Sequence, residues 1–288
     1  MSHILEVKNL SYNYDESSNF VRDALHNVSF TVDDGEIIGI VGHTGSGKST
    51  LVQLIVGLLT PTDGSIYFKG KNIWENPKKI REIRKNIGLV FQYPEYQLFE
   101  ETVYADIAFG PRNMGFVEDD IKPVILEICD TIGIPKRYLN CSPFDLSGGE
   151  KRRVAIAGIM AMRPKLLILD EPVAGLDPKG RNDIISMVKS YKEKYSATIM
   201  IISHNMEDMS QIADKLLVLN NGNLLKFDTV YNVFSDKELL LKSGLDKPVI
   251  AKIFDDLRSR GHAVPDDIFT LSAAVAYFKK RSEDLNNA

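Results

Sequence analysis

Two cysteines in 288 residues leave no room for a disulfide framework. Cys129 and Cys141 form no CxxC, so they read as incidental thiols of a reducing compartment rather than a redox pair. Histidine is equally sparse. His3, His26, His43, His204 and His262 are scattered without ligand spacing, which argues against a zinc site. Long apolar runs are missing: LIVGLL (54–59) and ATIMII (197–202) fall far short of the roughly 18–20 residues that cross a bilayer. If the protein works at a membrane, other chains must supply the spanning helices. The N-terminus MSHILEVKNL has no basic-then-apolar layout, so no signal peptide is expected. Nor is there an excess of positive charge. Thirty-five basic against 39 acidic residues give a net charge of -4, and no global footprint for nucleic acid. What remains is an ordinary globular composition, 44% hydrophobic and 26% charged, suited to one large domain or one domain plus a small one.

What is present has a clear order along the chain. ILEVKNLSYNY and NVSFTVDDGE alternate and carry turn signals, which predicts antiparallel strands. EIIGIV (36–41) and KLLILD (165–170) are short continuous apolar runs, as in strands buried on both faces. KSTLVQLIVGLL has helical spacing, and about residues 93–164 read as mostly helical. Asp177-Pro178 opens a further helix, with Asp as N-cap and Pro at the first position, and Ile184, Val188, Tyr191 and Tyr195 form its apolar stripe. ATIMIIS and KLLVLNNG are two more strands. Strands alternating with helices predict an α/β fold with a mostly parallel sheet, an antiparallel β subdomain and a helical subdomain. A domain over 1–225 followed by a small, mainly helical C-terminal domain over 226–288 is expected.

GHTGSGKST (42–50) explains why bare glycines follow a buried strand. Gly42-x-x-x-x-Gly47-Lys48-Ser49 is the P-loop pattern, and it lies where a P-loop should, after a strand and before a helix. Glycines let backbone N–H groups wrap phosphates, and the helix offers its N-terminal N–H groups and dipole to the same anion. Lys48 would reach the β- and γ-phosphates of a nucleotide, and the Ser49 hydroxyl would ligate Mg²⁺. LLILDEP (166–172) ends a strand in two acids. Asp170 can hold Mg²⁺ and Glu171 can orient or deprotonate water. LSGGEKRR (146–153) places Ser147, Gly148 and Gly149 before another helix, a second terminus suited to phosphate. Lys151, Arg152 and Arg153 in its first turn read as a solvated face, with phosphate or partner contact as the alternative. His204 ends a strand within reach of a γ-phosphate.

Taken together these segments resemble the ATP-binding-cassette (ABC) ATPase family over about residues 3–225. The order is Walker A at 42–50 (Gly42, Thr44, Gly45, Ser46, Gly47, Lys48, Ser49, Thr50), the Q-loop at Gln92, the signature LSGGE at 146–150, Walker B LLILDE, the D-loop AGLD at 174–177 and the switch His204. Glu150 departs from the commoner signature glutamine. The resemblance implies cassettes paired head to tail, each ATP held between one chain's P-loop and the other chain's signature. It assigns catalysis to Lys48, Gln92, Glu171 and His204, Mg²⁺ to Ser49, Gln92 and Asp170, and a nucleotide-side, cross-dimer role to Asp177. Tyr14 would stack on adenine, with Tyr12 second, although the loop DESSNFVRD after it is longer than usual.

A narrower resemblance, carried by GHTGSGKST, QYPEYQLFEETVYADIAFGPRNMG, RRVAIAGIMAM, EPVAGLDPKGR, SHNMEDM and GLDKPVIAKIFDDLRSRG, is to the ATPase subunits of energy-coupling factor (ECF) transporters. The threonine in GHTGSGK and the RRVAIAGIMAM stretch look like the second of the two paralogues; KFDTVYNVF departs from the family's tail. The implied setting is the cytoplasmic face of the membrane. The implied partners are a second ABC ATPase, a transmembrane coupling subunit and a membrane substrate-binding subunit, in an importer of vitamins or other micronutrients. The aromatics of YPEYQLFEETV (93–103) are expected to meet the coupling subunit, with local packing as the alternative. A homodimeric cobalt or nickel importer ATPase is the competing reading. A DNA-repair or chromosome-structure ATPase is disfavoured, because only a short stretch separates Gln92 from the signature and the net charge is acidic. A nucleotide-binding subunit without hydrolysis is disfavoured, because each expected catalytic residue is present.

Overall fold

The computed structural model of the chain describes residues 3–14 and 22–286, so most of the DESSNFVRD loop lies outside the described residues. The first strands are β1 (His3–Tyr14) and β2 (Arg22–Asp33), followed by β3 (Ile37–Val41) and the P-loop helix α1 (Lys48–Ile55). Next come β4 (Asp63–Phe68), β5 (Lys71–Asn72), α2 (Ile80–Arg84) and β6 (Ile87–Val90). The helical region holds α3 (Val103–Asn113), α4 (Glu118–Ile132) and α5 (Gly148–Met160). Then β7 (Leu166–Asp170), α6 (Pro178–Tyr195), β8 (Thr198–Ile202), α7 (Met206–Ile212), β9 (Lys215–Asn220) and β10 (Asn223–Thr229) complete the sheet region. Four helices end the chain: α8 (Val230–Ser235), α9 (Lys237–Ser243), α10 (Val249–Ser259) and α11 (Leu271–Asn286).

The strands form two sheets. One is antiparallel, in the order β2-β1-β4-β5, and the other runs β10-β9-β3-β8-β7-β6. In the second, β3 pairs in parallel with β8 and β9, and β7 with β6 and β8, while β10 adds an antiparallel edge to β9. Every residue of β3 is buried because both its faces are covered. Ile38 and Ile40 join the core beneath the antiparallel sheet, with Leu51, Leu54 and Val32. Ile37 and Val41 join the core built from the helices, with Ile107, Ile125, Val154 and Ile184. Between them Gly39 makes room for Leu216 and Met209, since a Cβ there would lie 2.6 Å from Leu216 Cδ2 and 2.7 Å from Met209 Sδ.

Two boundaries differ from the expected pattern. The helical spacing read over 48–59 stops at Ile55, and Gly57 at φ 73° turns the chain. The division expected at 225/226 falls inside β10, which completes the second sheet through Thr229. Val233 and Phe234 of α8 and Leu239 and Leu240 of α9 also enter the helix-side core. The periodicity changed there because an edge strand, half-exposed along its length, alternates weakly. Helices α10 and α11 meet through Phe254, whose ring lies 5.8 Å from Tyr277 and 5.7 Å from Phe278. Among the described residues no helix is long and apolar enough to cross a membrane.

Candidate nucleotide site

The P-loop takes its shape from three glycines. Gly42, Gly45 and Gly47 have φ of 150°, 82° and 103°, values that L side chains resist. Gly47 caps α1 in a left-handed conformation without any side-chain cap, and no acidic residue stands in the first turn. The helix N-terminus is therefore left open to an anion. Lys48 is half-buried. Its Nζ donates to the carbonyls of Gly42 (2.8 Å) and His43 (2.9 Å), so it lies curled across the loop. Burial lowers the Lys48 ammonium below its ordinary range, and Glu171 and Asp170 counter that by holding the charge on it. His43 bridges the Thr44 carbonyl and Asn220 Oδ1 at 2.7 Å each, and Asn220 Nδ2 donates to the Lys242 carbonyl of α9. The loop is thus tied to the sheet edge and to the C-terminal helices.

Gly42 admits no substitute. A Cβ there would stand 2.2 Å from the Leu219 carbonyl oxygen and 2.6 Å from Ser46 Oγ, and Ser46 is fully buried. Gly42→Ala is expected to cost about 1–3 kcal/mol of stability through overpacking and backbone strain. It should also abolish the rise in melting temperature on adding ATP. Thermal unfolding with and without ATP checks both; a full ATP-induced shift in the variant contradicts the assignment.

Tyr14, Ala24, Gly45, Gly47, Lys48, Ser49 and Thr50 line one cleft, a cavity of about 470 Å³. That is within the common size for a small-molecule site. The Tyr14 hydroxyl is 3.1 Å from Thr50 Oγ1, and its ring stands edge-on to Tyr12 at 4.9 Å. Tyr12 packs against the core instead of lining the cleft.

The acids follow β7. Burial, and then the neighbouring Glu171, push the Asp170 carboxyl above its ordinary value, while Lys48 pulls it back. Two acids beside one lysine, with a serine hydroxyl at the helix start, form a hard-oxygen donor set that suits Mg²⁺. Glu171 has φ 49°, rare for a residue with a side chain. Its N–H donates to the Ile202 carbonyl at 3.0 Å, and its Oε1 accepts from His204 Nδ1 at 2.8 Å. The Glu171 side chain is 13% exposed and His204 75%, so the histidine covers the acid from the solvent side. Gln92 is exposed just after β6, and Tyr93 behind it is again left-handed, at φ 56°. Strained backbone at two adjoining functional segments costs about 1–3 kcal/mol each and is held only by its surroundings.

The signature residues lie elsewhere. Ser147 caps α5 in a reciprocal capping box with Glu150: its Oγ accepts from Glu150 N at 3.4 Å and its N donates to Glu150 Oε2 at 2.9 Å, while its hydroxyl donates to the same carboxylate oxygen at 2.6 Å. Those bonds hold the Glu150 carboxyl below its ordinary range. Gly148 and Gly149 have open space where a Cβ would stand. With Asp177, which caps α6 by accepting from Gly180 N at 2.7 Å, they line a second cleft that shares no residue with the first.

The basic run after the signature is not a solvated face. Arg152 is 2% exposed, bound to Glu95 through Nε (2.9 Å) and Nη2 (2.6 Å). Arg153 donates to Asp183 at 2.7 Å, and Lys151 lies over the Phe144 ring. Arg152 faces inward because α5 packs on the turn at 94–97, and the carboxylate there outweighs the unfavourable helix dipole. No local signal marks Glu95 as its partner, 57 residues away in the chain.

A family model described as ABC transporter matches residues 25–174. The chain is 50% identical over 270 residues to the energy-coupling factor transporter ATP-binding protein EcfA2 of Caldanaerobacter subterraneus subsp. tengcongensis, covering 94% of each. It is 46% identical to the protein of the same name from Clostridium perfringens, covering 94% of this chain and 95% of that one. Among solved structures it resembles cbiO1 from Clostridium perfringens, part of the ABC transporter complex cbiONQ, at a TM-score of 0.77 and 36% identity over 91% of this chain and 98% of that one. An ATP-binding cassette solved as a dimer in a post-hydrolysis state with ADP and Pi aligns at a TM-score of 0.68 and 27% identity, over 78% of this chain and 98% of the other.

Proposed function

The chain belongs to the ABC transporter ATPases, and within them to the energy-coupling factor ATP-binding proteins; on that premise we propose that it pairs head to tail with a second cassette to drive a micronutrient importer. It is an ATP-hydrolysing subunit of such a transporter. The observation that carries the pairing is the separation of the two clefts. The P-loop cleft has N–H donors and a lysine but no signature serine, and the signature cleft has Ser147 and open glycines but no lysine of the P-loop. Each is half of a phosphate site.

In the assembled pair Tyr14 covers the adenine and the loop from Gly42 to Thr50 wraps the phosphates. Lys48 leaves the carbonyls of Gly42 and His43 for the β- and γ-phosphate oxygens. Ser49, Gln92 and Asp170 would hold Mg²⁺, which supplies charge neutralisation on the phosphates when bound. Glu171 takes the proton of the attacking water, and His204, already hydrogen-bonded to it, fixes its orientation and meets the γ-phosphate side. Ser147 and Gly148–Gly149 serve the nucleotide in the partner's P-loop, and Asp177 stands beside them facing the other chain.

The segment after Gln92 is the proposed seat of the membrane coupling subunit. Tyr96 is 84% exposed and Phe99 58%, and Phe99 meets Phe109 edge-on at 4.9 Å. The buried Asp106 holds this segment by accepting from the N–H groups of Phe99 and Glu100. Tyr96→Ala or Phe99→Ala should lower transport about tenfold, the scale of a lost interface aromatic, with ATP binding to the chain unchanged. Unaltered uptake in reconstituted vesicles would remove this assignment. The exposed apolar residues Val249, Ile253, Leu271, Val275 and Phe278 of α10 and α11 are the proposed C-terminal contact between cassettes.

Affinity purification of the tagged chain from native membranes tests the whole reading. A different ABC ATPase with two kinds of membrane protein is the expected result, at the cytoplasmic face. Recovery of this chain as its own partner, with membrane subunits, would favour a homodimeric metal importer. Recovery without membrane protein would overturn the transporter assignment.

A further inference from the structure

Arg152 joins three segments that the motifs describe separately. It begins the second turn of α5, two residues beyond the signature. Its guanidinium binds both carboxylate oxygens of Glu95, in the turn at Pro94–Gln97, and lies 5.6 Å from the Tyr93 ring. Through Nη1 it also donates to the carbonyls of Ala174 at 2.6 Å and Pro172 at 3.3 Å, in the loop between Glu171 and Asp177. A planar fork can serve a carboxylate and two carbonyls at once, which an ammonium cannot. Burial alone would push the Glu95 carboxyl up, but the Arg152 bonds hold it below its ordinary range.

We infer that Arg152 is a positioning residue for hydrolysis at the partner's nucleotide, locking the Ser147 signature and the Asp177 loop to the Tyr93–Phe99 segment on which the coupling subunit docks. This rests on the paired-cassette reading above. A shift of the 93–99 segment moves the Glu95 carboxylate, and with it the guanidinium. The N-terminal part of α5 and the carbonyls of 172 and 174 follow, because a buried arginine cannot exchange these partners for water. The phosphate-facing serine and Asp177 are therefore set together, not one by one.

The test uses the assembled transporter in lipid vesicles, with Arg152→Lys, the pair Glu95→Gln/Arg152→Met, and Ser147→Arg as a control. Arg152→Lys keeps a cation against Glu95 but loses the fork. It should melt within about 4 °C of the parent, a shift small for a chain of this size. Its kcat for ATP should nevertheless fall at least about tenfold with KM changed less than about twofold, the pattern of an interaction made in the transition state. The pair variant leaves no charge unpartnered, so its melting temperature should recover while kcat stays low. If kcat returns together with the melting temperature, Arg152 only packs the fold and the proposal is wrong. It is equally wrong if Arg152→Lys leaves kcat unchanged while Ser147→Arg abolishes turnover. Should Ser147→Arg also leave turnover intact, the paired-cassette reading falls first, and this proposal with it.

Discussion

Glu171→Gln is expected to bind ATP as well as the parent and to turn it over about 100-fold or more slowly, the usual scale of a lost general base. The amide has the shape of the carboxylate and can still accept from His204 Nδ1, so the left-handed turn at 171 and the Ile202 carbonyl bond are preserved. What disappears is the ability to take a proton from water. The P-loop cleft is not lined by Glu171, so the nucleotide contacts remain. With hydrolysis blocked, ATP should hold the two cassettes together, and the paired species should accumulate on size exclusion in ATP but not in ADP. Single-turnover hydrolysis is the deciding measurement. A rate within about threefold of the parent would mean that another group activates the water.

Lys48→Met has its largest effect one step earlier. Charge-assisted hydrogen bonds are worth about 1.5–3 kcal/mol each, so ATP affinity should fall on the order of 10–100-fold. Stability should move the other way. The Lys48 ammonium sits below its ordinary pKa because burial penalises the charged form. A lysine whose folded value is lowered makes stability rise with pH through that value, and it opposes folding at neutral pH. Removing the charge therefore should not lower the melting temperature of the nucleotide-free chain, while the ATP-induced increase should vanish. Calorimetric titration and thermal unfolding read the two effects separately. An affinity within about twofold of the parent would contradict the phosphate role of Lys48.

Much of this chemistry was legible in one dimension. Gly42, Gly45 and Gly47 mark a loop because the left-handed backbone and the close approach to Leu219 and Ala24 are properties of those positions. Asp177 and Pro178 announce a helix start for the same local reason, and the structure caps α6 with Asp177. Continuous apolar runs announced β3, β7 and β8 because strands covered on both faces cannot afford polar residues. The departures were at places where distance in the chain hides the partner. Arg152 looked solvated because its neighbours Lys151 and Arg153 are basic, and the carboxylate that draws it inward belongs to another segment. The strained φ of Glu171 and Tyr93 left no trace either, since neither residue type prefers that conformation.

By itself, then, the order of residues determined what each short segment can do: wrap a phosphate, end a strand in acids, cap a helix with a serine. Those abilities depend on dihedral freedom and donors within a few positions of each other. Only the tertiary structure decided which segments meet. It placed the signature cleft apart from the P-loop cleft, the separation on which the proposed pairing of two cassettes rests. It also buried Arg152 among Glu95, Pro172 and Ala174. The reason is that such meetings are set by how α5 and the sheet share a core, a property of packed surfaces and not of any local stretch of chain.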